Sequence, residues 1–364
     1  MLLRRKNMPK IMIAAAGTGG HVFPGLAIAL ALRQQGVDVV WLGTQQGKAG
    51  AWVGKESIPF HGIAMQGLRG KGLMGWLYAP FRLLRAIAQA WRVLRQEKPD
   101  LLLVMGGYIS APAGIAARLL GVPVWLHEQN AIAGLSNRLL APFSERIFLG
   151  LPLQFVPFAW KKAELIGNPL RGCLQRGSQA RHDANALNVL ILGGSQGAQF
   201  LNGLLPQVIT VEMSNRLSIW HQTGVQQQDT VADAYQAAGV KARVDAFIDD
   251  MATAYAWADV IIARSGALTV AEIVQTARPA LFIPFPFAVD NHQYFNALSL
   301  VTVGGAQLLT QSQASIDAVR SFLNQRLHDP QIQQLAYNSL LALPENNAAI
   351  VLAQTIVDRI RGDK

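Results

Sequence analysis

At four places in this chain a short apolar run ends at a glycine-bearing turn and a helical segment comes next, and this plan confines the fold to alternating strands and helices. The runs are Lys10 to Ala16 before Gly17-Thr18-Gly19-Gly20-His21, Leu101 to Met105 before Gly106-Gly107-Tyr108, Val189 to Leu192 before Gly193-Gly194-Ser195-Gln196-Gly197, and Val260 to Ala263 before Arg264-Ser265-Gly266. In such βαβ units the helix N-terminus lies just past the carboxyl end of a parallel strand, where ligands of open α/β sheets bind.

The pattern is fullest between Ala258 and Gln293. Val270, Ile273, Val274 and Ala277 recur at the spacing of a helix with one buried face, and after Arg278-Pro279 a second apolar strand runs from Ala280 to Pro284. The N–H groups of Gly266 to Thr269, aided by the helix dipole, can receive a diphosphate, and Glu272 stands one turn further in, where it can accept two hydrogen bonds from a ribose diol. Thr269-Val-Ala-Glu272 also spells a capping box, which would do no more than close the helix start. On this stretch alone both readings stand.

With 364 residues, 51% hydrophobic and 15% charged, the chain can fill two domain cores. The single cysteine, Cys173, excludes an internal disulfide and a cysteine zinc site, fits a reducing compartment, and reads as a small buried side chain. Arg4-Arg5-Lys6 imitates the start of a signal peptide, but the apolar stretch before Gly17 is short, and Gly-Thr-Gly-Gly-His with Pro24 interrupts the uncharged run beyond it, so export is not expected. Leu101 to Ala117 is uncharged yet carries Gly106-Gly107 and Pro112, which split it into strand and helix rather than a membrane span. The net charge of +10 asks for an acidic partner, and no cation run with interleaved aromatics points to nucleic acid.

Taken in order, Gly17 to His21 reads as a flexible loop and Pro24 to Leu32 as a helix with its proline near the first position. The spacing is not G-x-G-x-x-G and no acidic residue closes the strand Val37 to Leu42, which disfavours a nicotinamide dinucleotide. Next comes an uncharged loop, Leu73 to Phe81, with Arg69 and Lys71 before it. The helix after it carries Leu83, Ile87, Ala90 and Leu94 on one stripe and Arg82, Arg85, Gln89 and Arg92 on another. A greasy loop beside a basic helix face suits a peripheral membrane site, with Leu73, Met74, Trp76, Leu77, Tyr78 and Phe81 as inserting groups and Arg82 and Arg85 as cations; an ordinary amphipathic helix packed on a core is the alternative.

Pro99 to Asn130 repeats the plan of Ala258 to Gln293, and Asn188 to Gln207 repeats the first unit, so the chain reads as two similar halves. The join is expected near Ile166 to Arg171, where Gly167-Asn168-Pro169 has turn chemistry and Arg171 would project from the hinge. Asp250 reads as a helix cap, and Asn347 to Arg361 as a closing helix with Ile350, Ala353, Val357 and Ile360 on its inner face.

The four glycine turns, together with His127-Glu128-Gln129-Asn130, stand in one order that resembles the MurG family of bacterial UDP-N-acetylglucosamine:undecaprenyl-pyrophosphoryl-N-acetylmuramoyl-pentapeptide N-acetylglucosaminyltransferases over nearly the whole chain. The resemblance implies an α/β GT-B fold, two Rossmann-like doubly wound parallel-sheet domains facing a cleft. Residues 1–167 would form the acceptor and membrane-binding domain, 168–345 the UDP-GlcNAc-binding domain, and 346–364 a helix packing back on the first. It implies inverting transfer of GlcNAc from UDP-GlcNAc to the C4 hydroxyl of lipid-linked MurNAc-pentapeptide, without a cofactor. The family's donor contacts carry over to Thr18, Gly19, Gly20, Asn130, Arg171, Ser195, Ile248, Ala267, Leu268, Thr269, Val270, Ala271, Glu272 and Gln293. Ala16 departs from the family's leading glycine, and His292 stands where some members have a second glutamine before Gln293.

No D-x-D motif is present to hold a metal, so the resemblance leaves the leaving UDP to Arg171, the Gly193 to Gly197 loop and the helix start at Ala267 to Thr269. His21 is the candidate base, with Glu128 and His127 as rivals. The resemblance also implies the cytoplasmic face of the bacterial inner membrane as the location, and an anionic leaflet and other proteins of cell-wall synthesis or division as partners. Another UDP-sugar enzyme of similar fold, an epimerase or a glycolipid transferase, is the nearest rival reading. A nicotinamide oxidoreductase and a non-catalytic basic binding protein are more distant ones.

Overall fold

The computed structural model describes residues 8–65, 78–170, 172, 174–177, 186–194 and 198–362. Leu73, Met74, Trp76, Leu77, Arg171, Cys173, Ser195, Gln196 and Gly197 lie outside the described residues. The chain divides into two compact units, Met1–Arg171 with Asn347–Lys364, and Gly172–Asn346.

The first unit runs β1 (Lys10–Ala14), α1 (Gly19–Gln34), β2 (Asp38–Thr44), α2 (Ala49–Lys55), β3 (Phe60–Ile63), α3 (Ala79–Glu97), β4 (Leu101–Val104), α4 (Ser110–Leu119), β5 (Val124–Glu128), α5 (Leu135–Leu140), β6 (Arg146–Leu149) and β7 (Glu164–Leu165). Its sheet has the order β3-β2-β1-β4-β5-β6-β7 with parallel pairing throughout, Ile11 sitting opposite Val39 on one side and Leu101 on the other. The two-residue period of a strand splits β1 between two cores. Met12 packs with Leu102, Ala86 and Ala90, while Ile11 and Ile13 pack with Ile28, Leu32 and Trp41.

The second unit runs β8 (Leu187–Leu192), α6 (Gln199–Val208), α7 (Val211–Ser214), β9 (Leu217–Gln222), α8 (Gln228–Ala237), β10 (Ala242–Asp245), α9 (Met251–Trp257), β11 (Val260–Ala263), α10 (Ala267–Thr276), β12 (Ala280–Phe282), α11 (His292–Val301), β13 (Ala306–Leu308), α12 (Ile316–His328) and α13 (Pro330–Leu341). Its parallel sheet is ordered β10-β9-β8-β11-β12-β13. Both sheets therefore reverse direction next to their first strand, between β1 and β4 and between β8 and β11. At such a switch point the crossover helices diverge to opposite faces and leave the carboxyl edge open to a ligand. A final helix, α14 (Ala348–Arg361), belongs to the first unit, where Leu352, Ala353, Ile356 and Val357 join the core of Ile13 and Leu32.

Several local expectations are corrected. Helix α1 opens at Gly19 rather than at Pro24, which therefore stands inside it. Thr18 is the N-cap residue, and its carbonyl accepts from the N–H of His21 and Val22 at 3.2 and 3.4 Å. His21 is thereby fixed on a helical turn instead of a flexible loop. The capping-box reading of Thr269 and Glu272 fails because α10 begins at Ala267 with Gly266 as its cap, which puts Thr269 inside the helix. On α14 the inner face is turned from the expected stripe: Ile350 is 63% exposed and Leu352 and Ile356 are buried. Asn168 is fully buried, and its Gly167-Asn168-Pro169 turn stands just before the first unit gives way to the second after Arg171.

Where α1 crosses the sheet, Gly25 sets the distance. A Cβ built there would lie 2.7 Å from the ring of Trp41, whose indole N–H donates to the Ala15 carbonyl at 3.0 Å and so cannot swing aside. Gly25→Ala should lower unfolding stability by about 1 kcal/mol, because overpacking of about 1–3 kcal/mol exceeds a helix-propensity gain of about 1 kcal/mol. Thermal or denaturant unfolding checks this, and a raised midpoint would contradict it.

Candidate functional site

Each unit gathers polar groups at the carboxyl edge of its own sheet. In the second unit three residues, Arg264 to Gly266, separate β11 from α10, and the opening N–H groups at Leu268 and Thr269 lie beyond the reach of any carbonyl of their own helix. The turn before it is stitched from several sides. Ser265 Oγ donates to the Gln293 carbonyl at 2.7 Å, Asn296 Nδ2 donates to the Ser265 carbonyl at 3.1 Å, and the Arg264 guanidinium donates to the carbonyls of Ile283 and Pro284 at 2.8 and 2.9 Å. Gln293 is thus brought to the start of α10. Its Oε1 accepts from Phe285 N–H at 2.9 Å, which leaves the amide nitrogen as the donor end. His292 Nδ1 is tied locally to the Val289 carbonyl at 2.8 Å. The chain makes this bend with Asp290 and Asn291 both at positive φ, 51° and 53°, a conformation their short polar side chains tolerate.

Glu272 is half-buried and accepts from Tyr255 Oη at 2.8 Å. Burial, then the neighbouring Glu272 charge, pushes the Tyr255 phenol well above its ordinary range, so it stays a proton donor to the carboxylate. Tyr255 is itself held in place, because Arg278, 1% exposed, donates from Nε to the Tyr255 carbonyl at 2.9 Å at the C-terminal end of α9. Val270 and Ala271 are buried, and the Val270 N–H donates to the Gly266 carbonyl at 3.0 Å, so these two form the packed base of the helix rather than polar contacts. Ile248, 5% exposed, comes just after β10. Shortly before it, Gln222 Nε2 reaches both the Gly194 and the Ala246 carbonyls at 3.1 and 3.0 Å, joining the β8 glycine turn to the segment that carries Ile248.

In the first unit Thr18, Gly19 and Gly20 open α1, with Thr18 exposed. Behind them lies the His21 ring. Its Nδ1 stands 3.1 Å from the Met105 carbonyl and 3.0 Å from Gln129 Oε1. Gly106, at φ 92°, admits that ring, because a Cβ there would lie 3.0 Å from His21 Nδ1. Glu128, the rival base, is corrected to a scaffold. At 1% exposure its Oε1 accepts from Asn130 N and Nδ2 at 3.0 and 3.2 Å, and its Oε2 accepts from Gly134 N and Asn137 Nδ2 at 2.9 and 2.7 Å. Four donors consume the lone pairs that a base would need. The same bonds fix Asn130 at the carboxyl end of β5. His127, the other rival, is fully buried, and burial lowers its pKa to about 4, partly offset by its bond to the Gly167 carbonyl. It has no path to a substrate proton.

Of the described residues expected at a membrane surface, Tyr78 is 50% and Phe81 71% exposed at the start of α3, and Arg82 and Arg85 are exposed beside them. Leu84, 64% exposed, was not singled out by the sequence although it lies one turn from Phe81. The sequence also missed Ser265, Asn296, Gln222 and Tyr255. Asn296 had a signal, since it stands one turn after Gln293 on the same helix; Tyr255 had none. Among the described residues no three His, Cys, Asp or Glu side chains cluster as a metal site.

Residues 11–149 match the glycosyltransferase family 28 N-terminal domain and residues 188–348 the glycosyltransferase family 28 C-terminal domain. Relatives named UDP-N-acetylglucosamine–N-acetylmuramyl-(pentapeptide) pyrophosphoryl-undecaprenol N-acetylglucosamine transferase include one from Nitrosococcus oceani, 48% identical over 84% of this chain and 86% of its own length. Another, from Acidithiobacillus ferrooxidans, is 44% identical over 96% of this chain and 97% of its own. The crystal structure of Acinetobacter baumannii MurG superposes with a TM-score of 0.79 at 35% identity, covering 96% of this chain and 99% of that one. A UDP-N-acetylglucosamine 2-epimerase-like protein from Listeria monocytogenes, 13% identical with a TM-score of 0.68 over 98% of both chains, shares the fold alone. With close relatives along nearly its full length and both domain models matched in order, the chain belongs to the MurG family within glycosyltransferase family 28.

Proposed function

We propose that this protein transfers N-acetylglucosamine from UDP-GlcNAc to undecaprenyl-pyrophosphoryl-MurNAc-pentapeptide, forming a β-1,4 bond at the C4 hydroxyl with inversion and releasing UDP. The observation that carries the reading is the agreement between relatives of that name and the α10 start, where helix N–H groups, Gln293 and the Tyr255-supported Glu272 meet at one sheet edge. Glu272 holds the ribose diol, the N–H groups of Leu268 and Thr269 receive the diphosphate as negative charge grows on it, and Gln293 donates to a sugar hydroxyl. Arg171 and Ser195 supply further phosphate contacts in this reading. In the first unit Thr18, Gly19, Gly20 and Asn130 border the reacting sugar, and His21 takes the proton of the acceptor hydroxyl. The reaction draws on no cofactor.

The acceptor is a lipid diphosphate, so the protein works as a peripheral protein at the cytoplasmic face of the inner membrane, docked through the first unit. Exposed Tyr78, Phe81 and Leu84 beside Arg82 and Arg85 support this. No helix among the described residues is long and apolar enough to cross a membrane. Other proteins of cell-wall synthesis or division are proposed as partners on the strength of the family alone.

Incubation of the purified protein with labelled UDP-GlcNAc and lipid-linked MurNAc-pentapeptide should yield a disaccharide-lipid product, and its absence under conditions that support UDP binding would reject the reading. His21→Ala should lower turnover by about a hundredfold or more while UDP-GlcNAc still binds; unchanged turnover would clear His21 of the role. Tyr255→Phe should weaken UDP affinity by roughly tenfold, since it removes one hydrogen bond to a charged acceptor, and calorimetric titration measures it. Neutralising Arg82 or Arg85 to glutamine should weaken binding to anionic vesicles by about fivefold each, the equivalent of about 1 kcal/mol per cation. Flotation that is equal on neutral and anionic vesicles would remove the electrostatic part of the claim.

A further inference from the structure

The His21 ring does not stand alone, and its partners allow only one arrangement of protons. Its Nδ1 faces the Met105 carbonyl at 3.1 Å, and a backbone carbonyl can only accept, so Nδ1 carries the hydrogen. Gln129 Oε1, 3.0 Å away, is a second acceptor for it. At the far end His127 Nε2 faces the Gly167 carbonyl at 3.0 Å, so there Nε2 carries the hydrogen and Nδ1 holds a lone pair. Gln129 Nε2 donates to that lone pair at 3.1 Å. Two carbonyls of the main chain thus close a row of three side chains, and they orient the Gln129 amide without ambiguity. Asn168 Nδ2 donates to the Gln129 carbonyl at 3.0 Å and fixes the backbone that carries the amide. His127 and Gln129 are both buried, and burial keeps His127 uncharged.

We infer that Gln129, oriented by the His127–Gly167 pair, is a positioning residue for the His21 base: it fixes the ring with its Nε2 lone pair presented and steadies the imidazolium formed when Nε2 takes a proton. The step balances simply. The acceptor hydroxyl gives its proton to Nε2, its oxygen forms the bond to the sugar carbon, and the leaving UDP keeps the electron pair. As His21 becomes cationic, its Nδ1–H bonds to Gln129 Oε1 and the Met105 carbonyl become charge-assisted and strengthen. The two groups meet because β4 and β5 are neighbours in the sheet and Met105 and Gln129 each come directly after their strand.

This inference rests on His21 being the base, and the experiments separate the two claims. In 15N spectra of histidine-labelled wild-type enzyme at alkaline pH, with His21 and His127 assigned by their loss in His21→Ala and His127→Phe, His21 should carry its hydrogen on Nδ1 and His127 on Nε2. A hydrogen on His21 Nε2, or the same tautomer in both rings, would overturn the arrangement. Gln129→Met, close in size and apolar, should lower kcat by about tenfold to a hundredfold with KM for UDP-GlcNAc unchanged, on the scale of losing a partner that orients a functional histidine. Gln129→Glu keeps the acceptor toward His21 and adds charge but loses the donor to His127, so it should have a higher kcat than Gln129→Met without reaching wild type, and should move the acid limb of the kcat/KM profile to higher pH, because a carboxylate beside Nδ1–H favours the imidazolium. Wild-type kcat in Gln129→Met, or an unmoved acid limb in Gln129→Glu, would defeat the positioning role. Full turnover in His21→Ala would instead defeat the base assignment itself.

Discussion

Parallel pairing of every strand is the constraint on which the rest of this molecule depends. It sends all carboxyl ends of a sheet to one edge and starts each succeeding helix there, so N–H groups and the turns that carry them accumulate on one side. The reversal of order beside β1 and β8 then spreads the flanking helices apart at that same edge. Glycine is needed where the chain must turn tightly without a side chain in the way, as at Gly106, where the His21 ring lies against the turn.

Around these edges the buried polar side chains serve rigidity more than charge. Glu128 gives both oxygens to four donors and thereby sets Asn130 and the start of α5. Arg278, buried with its pKa lowered by burial, spends its guanidinium on carbonyls at the end of α9, and through Tyr255 this reaches Glu272. Groups proposed to touch a ligand are in this way backed by groups that are not. A buried amide or carboxylate with every bond made is costly to disturb, so the geometry persists without a ligand to impose it.

The architecture is legible in the sequence because its signals are local. Uncharged runs such as Val260 to Ala263, leading into a glycine turn and a 3.6-residue period, announce strand and helix without tertiary information. The helix start at Ala267 to Thr269 is legible because it follows directly on such a turn. Pairing across the chain is not: nothing in the sequence says that Tyr255 meets Glu272, or that His21 meets Gln129 across 108 residues. The start of α1 departs from expectation because Pro24 is a strong helix-start signal, yet the Thr18 carbonyl begins the helix well before that residue, the first position that lacks an N–H. The face of α14 departs from expectation because a stripe of Ile350, Ala353, Val357 and Ile360 satisfies the helical period nearly as well as the one the core selects.

Because Leu352, Ala353, Ile356 and Val357 fill a core begun by Ile11 and Ile13, the second unit is an insertion in the covalent order of the first. On the ribosome the segment from Gly172 to Asn346 can fold as soon as it emerges, while the earlier-made half waits with an apolar face unfilled until synthesis reaches the last helix. The half that is translated first is therefore the last to be finished, and a nascent chain stalled short of Ala348 would expose that face to chaperones or to aggregation.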